Sequence, residues 1–232
     1  HGGGKEVTKV TEQLGKEPKF VVSPSGIKSR YTDKETSEIF TMVMSGRINK
    51  AIVQMLQKNG INAVGLSGMD GKTIEANRKK KLMIMNEKGR KQVIDGGYTG
   101  KISNVNSELI RTIMDKGYTP VISPIAISEE SEFLNVDGDR AAANVAGHVN
   151  SDKVLFITNV DGLLMEDKLV EKLSLQEAKE IMPKIGFGME KKILAATEAL
   201  EMGVSEALIA NGQRENPISS AIEHNKCTVI SK

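Results

Sequence analysis

Residues 135–162 read NVDGDRAAANVAGHVNSDKVLFITNVDG: a turn, a run of small residues, an apolar run and a second turn. Asn135, Asp137 and Gly138 are loop-forming residues, and the small residues that follow predict a helix over 140–149. Residues 153–158 predict a buried strand, ended by the turn at 159–162. A helix feeding a covered strand through a short loop is the repeating unit of an α/β protein. Downstream, helices are expected near 175–182 and 189–202, with strands at 207–210 and 227–230.

Upstream, the same alternation holds. Val7, Val10 and Leu14 give residues 5–15 a helical stripe, and 20–22 read as a strand before the turn cluster at 23–26. Asp33 can cap a long helical run carrying Ile39, Met42, Val43, Ile48, Ile52, Val53, Met55 and Leu56, a face suited to core packing or to a dimer seam. Strands are expected at 61–64 and 119–123, a helix at 107–116 and a hairpin over 125–134. Residues 65–73 nearly spell a phosphate-binding loop. Leu66 stands where its first glycine belongs, and charged strands rather than a helix are expected after it, so that reading is rejected. Alternating elements over 232 residues predict an α/β fold around a mostly parallel sheet, with ligands beyond the strand C-termini.

Composition narrows the function. A net charge of +2 and 3% aromatic residues provide neither the electrostatic footprint nor the stacking surface for nucleic acid. No apolar run reaches the ~18 residues of a membrane span. The single Cys227 suits a buried thiol in a reducing, cytoplasmic setting. His1, His148 and His224 are scattered, with no spacing for metal ligation or nucleophilic catalysis. Charge gathers in one place: Arg78, Lys79, Lys80, Lys81, Lys88, Arg90 and Lys91 face the lone acid Glu87. Such a run is either a solvated hairpin or a docking face for an acidic partner.

Glycines at the N-terminal end, His1-Gly2-Gly3-Gly4, precede the 5–15 helix, where unpaired N–H groups favour an anion. Together with residues 135–142, the Thr158 to Gly162 turn and the sequence Gly188-Met189-Glu190-Lys191-Lys192, they resemble the amino acid kinase family in its N-acetylglutamate kinase branch. The resemblance runs over essentially the whole chain. It implies a three-layer α/β/α sandwich, with residues 1–150 an acceptor-substrate lobe and 151–232 a nucleotide lobe of one domain. Residues 26–32 and 96–101 are most similar to the LysZ-type kinases, which phosphorylate 2-aminoadipate or glutamate attached to the acidic amino-group carrier protein LysW. A free N-acetylglutamate kinase and a non-catalytic amino-acid-binding module are the alternatives.

The resemblance also implies roles. Gly3 and Gly4 lend backbone N–H groups to substrate and phosphate, Arg30 grips a substrate carboxylate with Lys28 as its competitor, and Asn135 supplies a substrate-binding amide. Asp139 organises the catalytic lysines and Lys192 stabilises the transferring phosphoryl group. ATP is implied at Asn159, Val160, Asp161, Gly162, Leu163 and Leu164 and at Lys184, Ile185 and Gly186, with Mg²⁺ arriving on the nucleotide. LysW is the implied partner, docking on Arg78, Lys79, Lys80 and Lys81, and a homodimer is the implied assembly. Asn159 departs from the Asp common in acetylglutamate kinases. The family pattern places a strand and a Lys-x-Gly-Gly turn, with a partner for Lys192, ahead of the glycine stretch, so both are expected upstream of His1.

These chemical roles agree with elementary physics. A carboxylate is ionised at pH 7 and needs no general base; the obstacle is bringing it against the γ-phosphate, which cations and backbone donors overcome.

Overall fold

The computed structural model describes residues 1–186 and 188–232. It divides into two compact units, residues 1–141 and 142–232. The division falls inside a helix rather than after it, as the 150/151 border would have placed it.

The first unit opens on helix α1 (Gly4–Gln13), which buries Val7 and leaves Leu14 exposed. Strands β1 (Phe20–Val22) and β2 (Lys28–Arg30) pair antiparallel around the turn of Gly26, whose φ of +85° suits a residue without a side chain. Asp33 accepts the Thr36 N–H at 2.8 Å and caps α2 (Lys34–Thr41), as its type and position predict. The run continues as a π-helical segment, Met42–Ile48, into α3 (Asn49–Lys58). Ile39, Phe40, Val43 and Met44 pack with Val7 and Ile125, whereas Met42 and Met55 lie 58% and 67% exposed. The expected apolar face is therefore only partly core.

Strand β3 (Ala63–Ser67) leads through a short turn to β4 (Ile74–Arg78), so a strand follows the rejected phosphate-loop motif. Strands β5 (Lys81–Met85) and β6 (Lys91–Asp95) form a separate antiparallel hairpin, its turn held by Asn86 Oδ1 accepting the Lys88 and Arg90 amides. Next come β7 (Gly100–Val105) and α4 (Ser107–Asp115), then β8 (Thr119–Ser123), β9 (Ile125–Ile127), β10 (Phe133–Asn135) and helix α5 (Gly138–His148). β8 lies parallel to β3, and a second sheet runs in the order β10-β9-β4-β7. A parallel bridge between Thr99 and Asn135 links its two ends.

The second unit places β11 (Lys153–Thr158), β12 (Leu164–Met165), β13 (Lys168–Leu169), β14 (Lys172–Ser174), helices α6 (Leu175–Ile181) and α7 (Met189–Glu201), β15 (Glu206–Asn211), α8 (Pro217–Ile222) and β16 (Thr228–Ser231). Its sheet runs β11-β15-β16-β14; β11 and β15 are parallel, and β16 enters antiparallel to β15, so the sheet is mixed. α7 buries Ile193, Ala195, Ala196, Ala199 and Leu200 against Phe156, Ala207 and Ile209. Alanines on that face let helix and sheet approach closely. Ser174 and Glu177 form a reciprocal cap at the start of α6. Cys227 is buried, and burial pushes its thiol pKa up from the ordinary value.

The Asp33 cap carries a pH dependence. Burial alone would raise its pKa, but the Thr36 amide and Lys16 hold it below the ordinary aspartate value of 3.8. A depressed folded pKa contributes stability above the unfolded value, and that contribution is lost as pH falls through the folded one. Asp33→Ala should cost about 1 kcal/mol at pH 7, measured by urea unfolding, and the deficit relative to wild type should shrink below pH 3.8. An equal deficit across that range would refute the assignment.

Candidate active site

Gly3 and Gly4 stand where the chain enters α1. A Cβ added at Gly3 would lie 2.2 Å from Ile48 Cδ1 and 2.8 Å from Met44 Sδ, so a side chain there would force these two side chains of the π-helical segment to shift. Gly4 has open space around it. Its carbonyl accepts from Arg30 Nη2 at 3.0 Å, and Thr8 Oγ1 accepts from the same nitrogen at 2.7 Å. Arg30 Nη1 is buried without a partner, and burial lowers the guanidinium pKa from its ordinary value. A buried donor pays desolvation until an acceptor arrives. Lys28 instead points over the Phe20 ring, 4.9 Å from its centroid, and is exposed. The geometry thus separates the two candidates: Arg30 adjoins the glycines.

Asn135 ends β10, and its Nδ2 donates to the buried Thr32 hydroxyl at 2.9 Å. Thr32 lies two residues beyond Arg30, and its carbonyl accepts the Tyr98 amide at 2.6 Å. Asp137 Oδ1 accepts the amides of Asp139 and Arg140, setting the first turn of α5. A Cβ at Gly138 would meet the His1 carbonyl oxygen at 3.6 Å. The starts of α1 and α5 are therefore neighbours, each with a partial positive charge suited to an anion. Gly3, Gly4, Arg30, Asn135 and Asp139 gather in the first unit. Thr8, Thr32 and Asn49, which bonds His1, Leu66 and Val121, were not anticipated. The i to i+4 spacing of Gly4 and Thr8 was the available signal for one of them.

The basic run divides. Arg78 bonds the Gly97 carbonyl at 2.7 Å and Glu132 at 2.7 Å and stacks on Tyr98, so it is a brace inside the unit rather than part of a docking face. Lys80 and Lys81 are exposed, whereas Lys79 is half-buried.

In the second unit the turn after β11 adjoins the end of β15, because the two strands are parallel and in register up to Thr158 and Asn211. Open α/β sheets bind ligands at such C-terminal ends. Asp161 accepts from Asn211 Nδ2 at 2.9 Å and pairs with Arg214; these contacts hold its carboxyl below the ordinary range. A Cβ at Gly162 would strike Thr228 Oγ1 at 2.4 Å. Leu163 is buried, with its N–H on Thr228 Oγ1 and its carbonyl on the Val170 amide, so it serves the core rather than facing a nucleotide. Asn159 and Leu164 are exposed and Val160 is half-buried. Lys184 and Gly186 are exposed, flanking half-buried Ile185. Lys192 lies in the first turns of α7, half-buried. Asn211, Arg214 and Thr228, which shape the turn, come from distant sequence and carry no motif.

The profile of the Amino acid kinase family matches residues 1–211. A protein of Nitrosopumilus maritimus (strain SCM1), provisionally named a LysW-aminoadipate/LysW-glutamate kinase, is 82% identical over 230 residues, spanning 99% of this chain and 86% of that protein. A LysW-aminoadipate/LysW-glutamate kinase of Sulfolobus acidocaldarius is 48% identical over 231 residues, spanning 99% and 87%. Among solved structures, N-acetylglutamate synthase from Neisseria gonorrhoeae superposes with a TM-score of 0.79 at 23% identity, over all of this chain and 51% of that one. The expected α/β/α fold is borne out by these matches.

Thr228 provides a direct check on the turn. It is fully buried and both accepts from Leu163 and donates to the Val170 carbonyl at 2.7 Å. Thr228→Val should lower stability by about 1–3 kcal/mol, with Thr228→Ser recovering most of it in thermal melts. Equal melting of the valine variant and wild type would remove the turn's assigned anchor.

Proposed function

The chain belongs to the amino acid kinase family, and on that premise we propose that it transfers the γ-phosphoryl group of ATP to the side-chain carboxylate of glutamate or 2-aminoadipate carried on LysW. The observation that carries this reading is Arg30, a half-buried guanidinium with one buried, unpaired nitrogen beside the glycine-lined start of α1. Its planar fork suits a carboxylate and holds the acceptor by its α-carboxylate, leaving the side-chain carboxylate free to react.

The step needs no proton transfer. A carboxylate oxygen forms a bond to the γ-phosphorus while the bond to the β,γ-bridging oxygen breaks, giving an acyl phosphate and ADP. Gly3 and Gly4 offer main-chain donors to the acceptor and the transferring group, and Asn135 orients the acceptor. Lys192 stabilises the charge on the phosphoryl oxygens, and Asp139 organises the catalytic lysines. The exposed groups of the 159–164 turn and of Lys184–Gly186 hold ATP. Mg²⁺, a hard cation taking oxygen ligands, enters on the nucleotide's phosphates. Lys80 and Lys81, exposed on the approach to the β5–β6 hairpin, steer the acidic carrier. We assign the protein to the cytoplasm as a homodimer, with exposed Met42 and Met55 leaving apolar surface for a partner copy; a monomeric mass by light scattering would contradict the dimer.

Turnover of LysW-linked glutamate, LysW-linked aminoadipate and free N-acetylglutamate, measured side by side, tests the acceptor. The LysW-linked forms should prevail. Asp139→Asn and Lys192→Ala should each lower kcat by about 10²-fold or more. Unchanged turnover in both variants would falsify the site, and preference for free N-acetylglutamate would overturn the acceptor.

A further inference from the structure

Next to the glycine stretch, one buried amide joins three parts of the first unit. Asn49 opens α3, directly after the π-helical segment, and is fully buried. Its Nδ2 donates to the Val121 carbonyl at 2.8 Å, to the Leu66 carbonyl at 3.3 Å and to His1 Nε2 at 3.3 Å. Its Oδ1 accepts from the Lys50 ammonium at 3.1 Å, and that ammonium also donates to the Gly65 carbonyl at 3.1 Å. In the parallel pair of β3 and β8, Gly65 faces Val121 and Leu66 faces Ile122. The amide therefore spans both strands near their C-terminal ends, where α/β sheets place ligands. The approach is close: a Cβ added at Gly65 would lie 2.1 Å from Asn49 Oδ1.

These partners leave the amide one orientation. Carbonyl oxygens only accept and an ammonium only donates, so the NH₂ group faces the strands and the oxygen faces Lys50. An amide nitrogen has no lone pair to offer, so toward His1 it can only donate. His1 Nε2 is then the acceptor, and the ring carries its proton on Nδ1. The Gly2 carbonyl, 3.1 Å from Nδ1, makes the same demand, because it only accepts. Two separate partners thus select one neutral tautomer, and a ring protonated on both nitrogens would set Nε2–H against the amide N–H.

The consequence falls on the glycines. The peptide between Gly2 and Gly3 is trans, and in a planar trans peptide the carbonyl and the N–H point in opposite directions. Fixing the Gly2 carbonyl therefore fixes the aim of the Gly3 N–H. On its other side Gly3 is held by its carbonyl, which accepts the Val7 amide at 3.1 Å. A glycine backbone is the most permissive there is, so a donor built on it needs such outside support to be preorganised. We propose that Asn49 is a positioning residue for phosphoryl transfer: it holds His1 in the Nδ1–H tautomer, and that ring holds the Gly2 carbonyl so that the Gly3 N–H faces the transferring group. This rests on the reading above, in which Gly3 lends its N–H to the reaction.

The kinetic test replaces the ring. Phenylalanine keeps its shape without a donor, whereas asparagine carries an amide nitrogen about where Nδ1 stands. His1→Phe should lower kcat at least about tenfold, with KM for ATP and acceptor within about threefold, and His1→Asn should bring kcat back to within about threefold of wild type. Equal losses in the two variants, or a loss carried by KM alone, overturn the proposal. Turnover is read on whichever acceptor the wild type phosphorylates, LysW-linked or free, so a wrong acceptor leaves the comparison standing. A second readout is independent of turnover. In protein labelled with 15N-histidine, with His148→Gln and His224→Gln assigning the rings, His1 should show a protonated Nδ1 and a bare Nε2, the minority form of a solvated neutral imidazole. Asn49→Leu should release the ring to the Nε2–H form. An Nε2–H or doubly protonated His1 in wild type overturns the proposal even if Asn49→Leu does not fold, and so does an unchanged ring in a folded Asn49→Leu. A wild type that phosphorylates neither acceptor, yet shows the Nδ1–H ring that Asn49→Leu loses, refutes only the reading of the reaction.

Discussion

The bond from Arg30 to the Gly4 carbonyl ties the β1–β2 hairpin to the first turn of α1, and the acceptor side of the molecule is arranged around it. The guanidinium is half-buried, with Phe20 over one face and Gly4 and Thr8 both on its Nη2. Holding a cation there is costly unless its donors are used. Two donor contacts fix its position, and the unpaired Nη1 leaves the remaining capacity for a ligand. Gly3 stands against the π-helical segment, where a side chain would push on the ends of Met44 and Ile48. Distorted helix, glycine turn and arginine thus form one device.

That device is the kind the chemistry demands. Acyl phosphate formation joins two anions, so the protein's task is to place fixed donors where negative charge accumulates. Helix starts and an orphaned guanidinium nitrogen are features able to serve that end, and neither requires proton transfer. The second unit approaches its own task differently. There the turn after β11 is fastened from behind by Asn211, Arg214 and Thr228, leaving Asn159 and Leu164 outward. Rigid support beneath an exposed turn would lower the ordering cost at the proposed nucleotide site.

Most elements were legible because their causes are local. Asp33 caps α2 through a contact three residues away, and the apolar run at 153–158 is a strand that buries Val154 and Phe156 on one face and leaves Ile157 exposed on the other. Where causes were distant, expectation fell short. Arg78 looked like part of a docking run, but Glu132, far along the chain, claims its guanidinium. Leu163 looked like part of a nucleotide turn, but Thr228 and Val170 use its backbone. The π-helical segment has no compositional mark, and what it meets lies far along the chain: Ser45 bonds Ser123, and Met44 and Ile48 stand beside Gly3.

The amino-acid sequence by itself determined the alternation of helix and strand, the capped helix starts, the glycine turn and the residue types able to hold anions, because each depends on neighbours within a turn or on strand periodicity. Only the tertiary structure decided which cations are braces and which keep an unpaired donor. Arg30 and Arg78 are the same residue type; one keeps a free buried nitrogen and the other has an acid partner. Lys79 likewise separates from Lys80 because β-strand pairing sets it on the face of Thr99 and Lys101. Electrostatic role is set by what lies across space, and chain order does not record that.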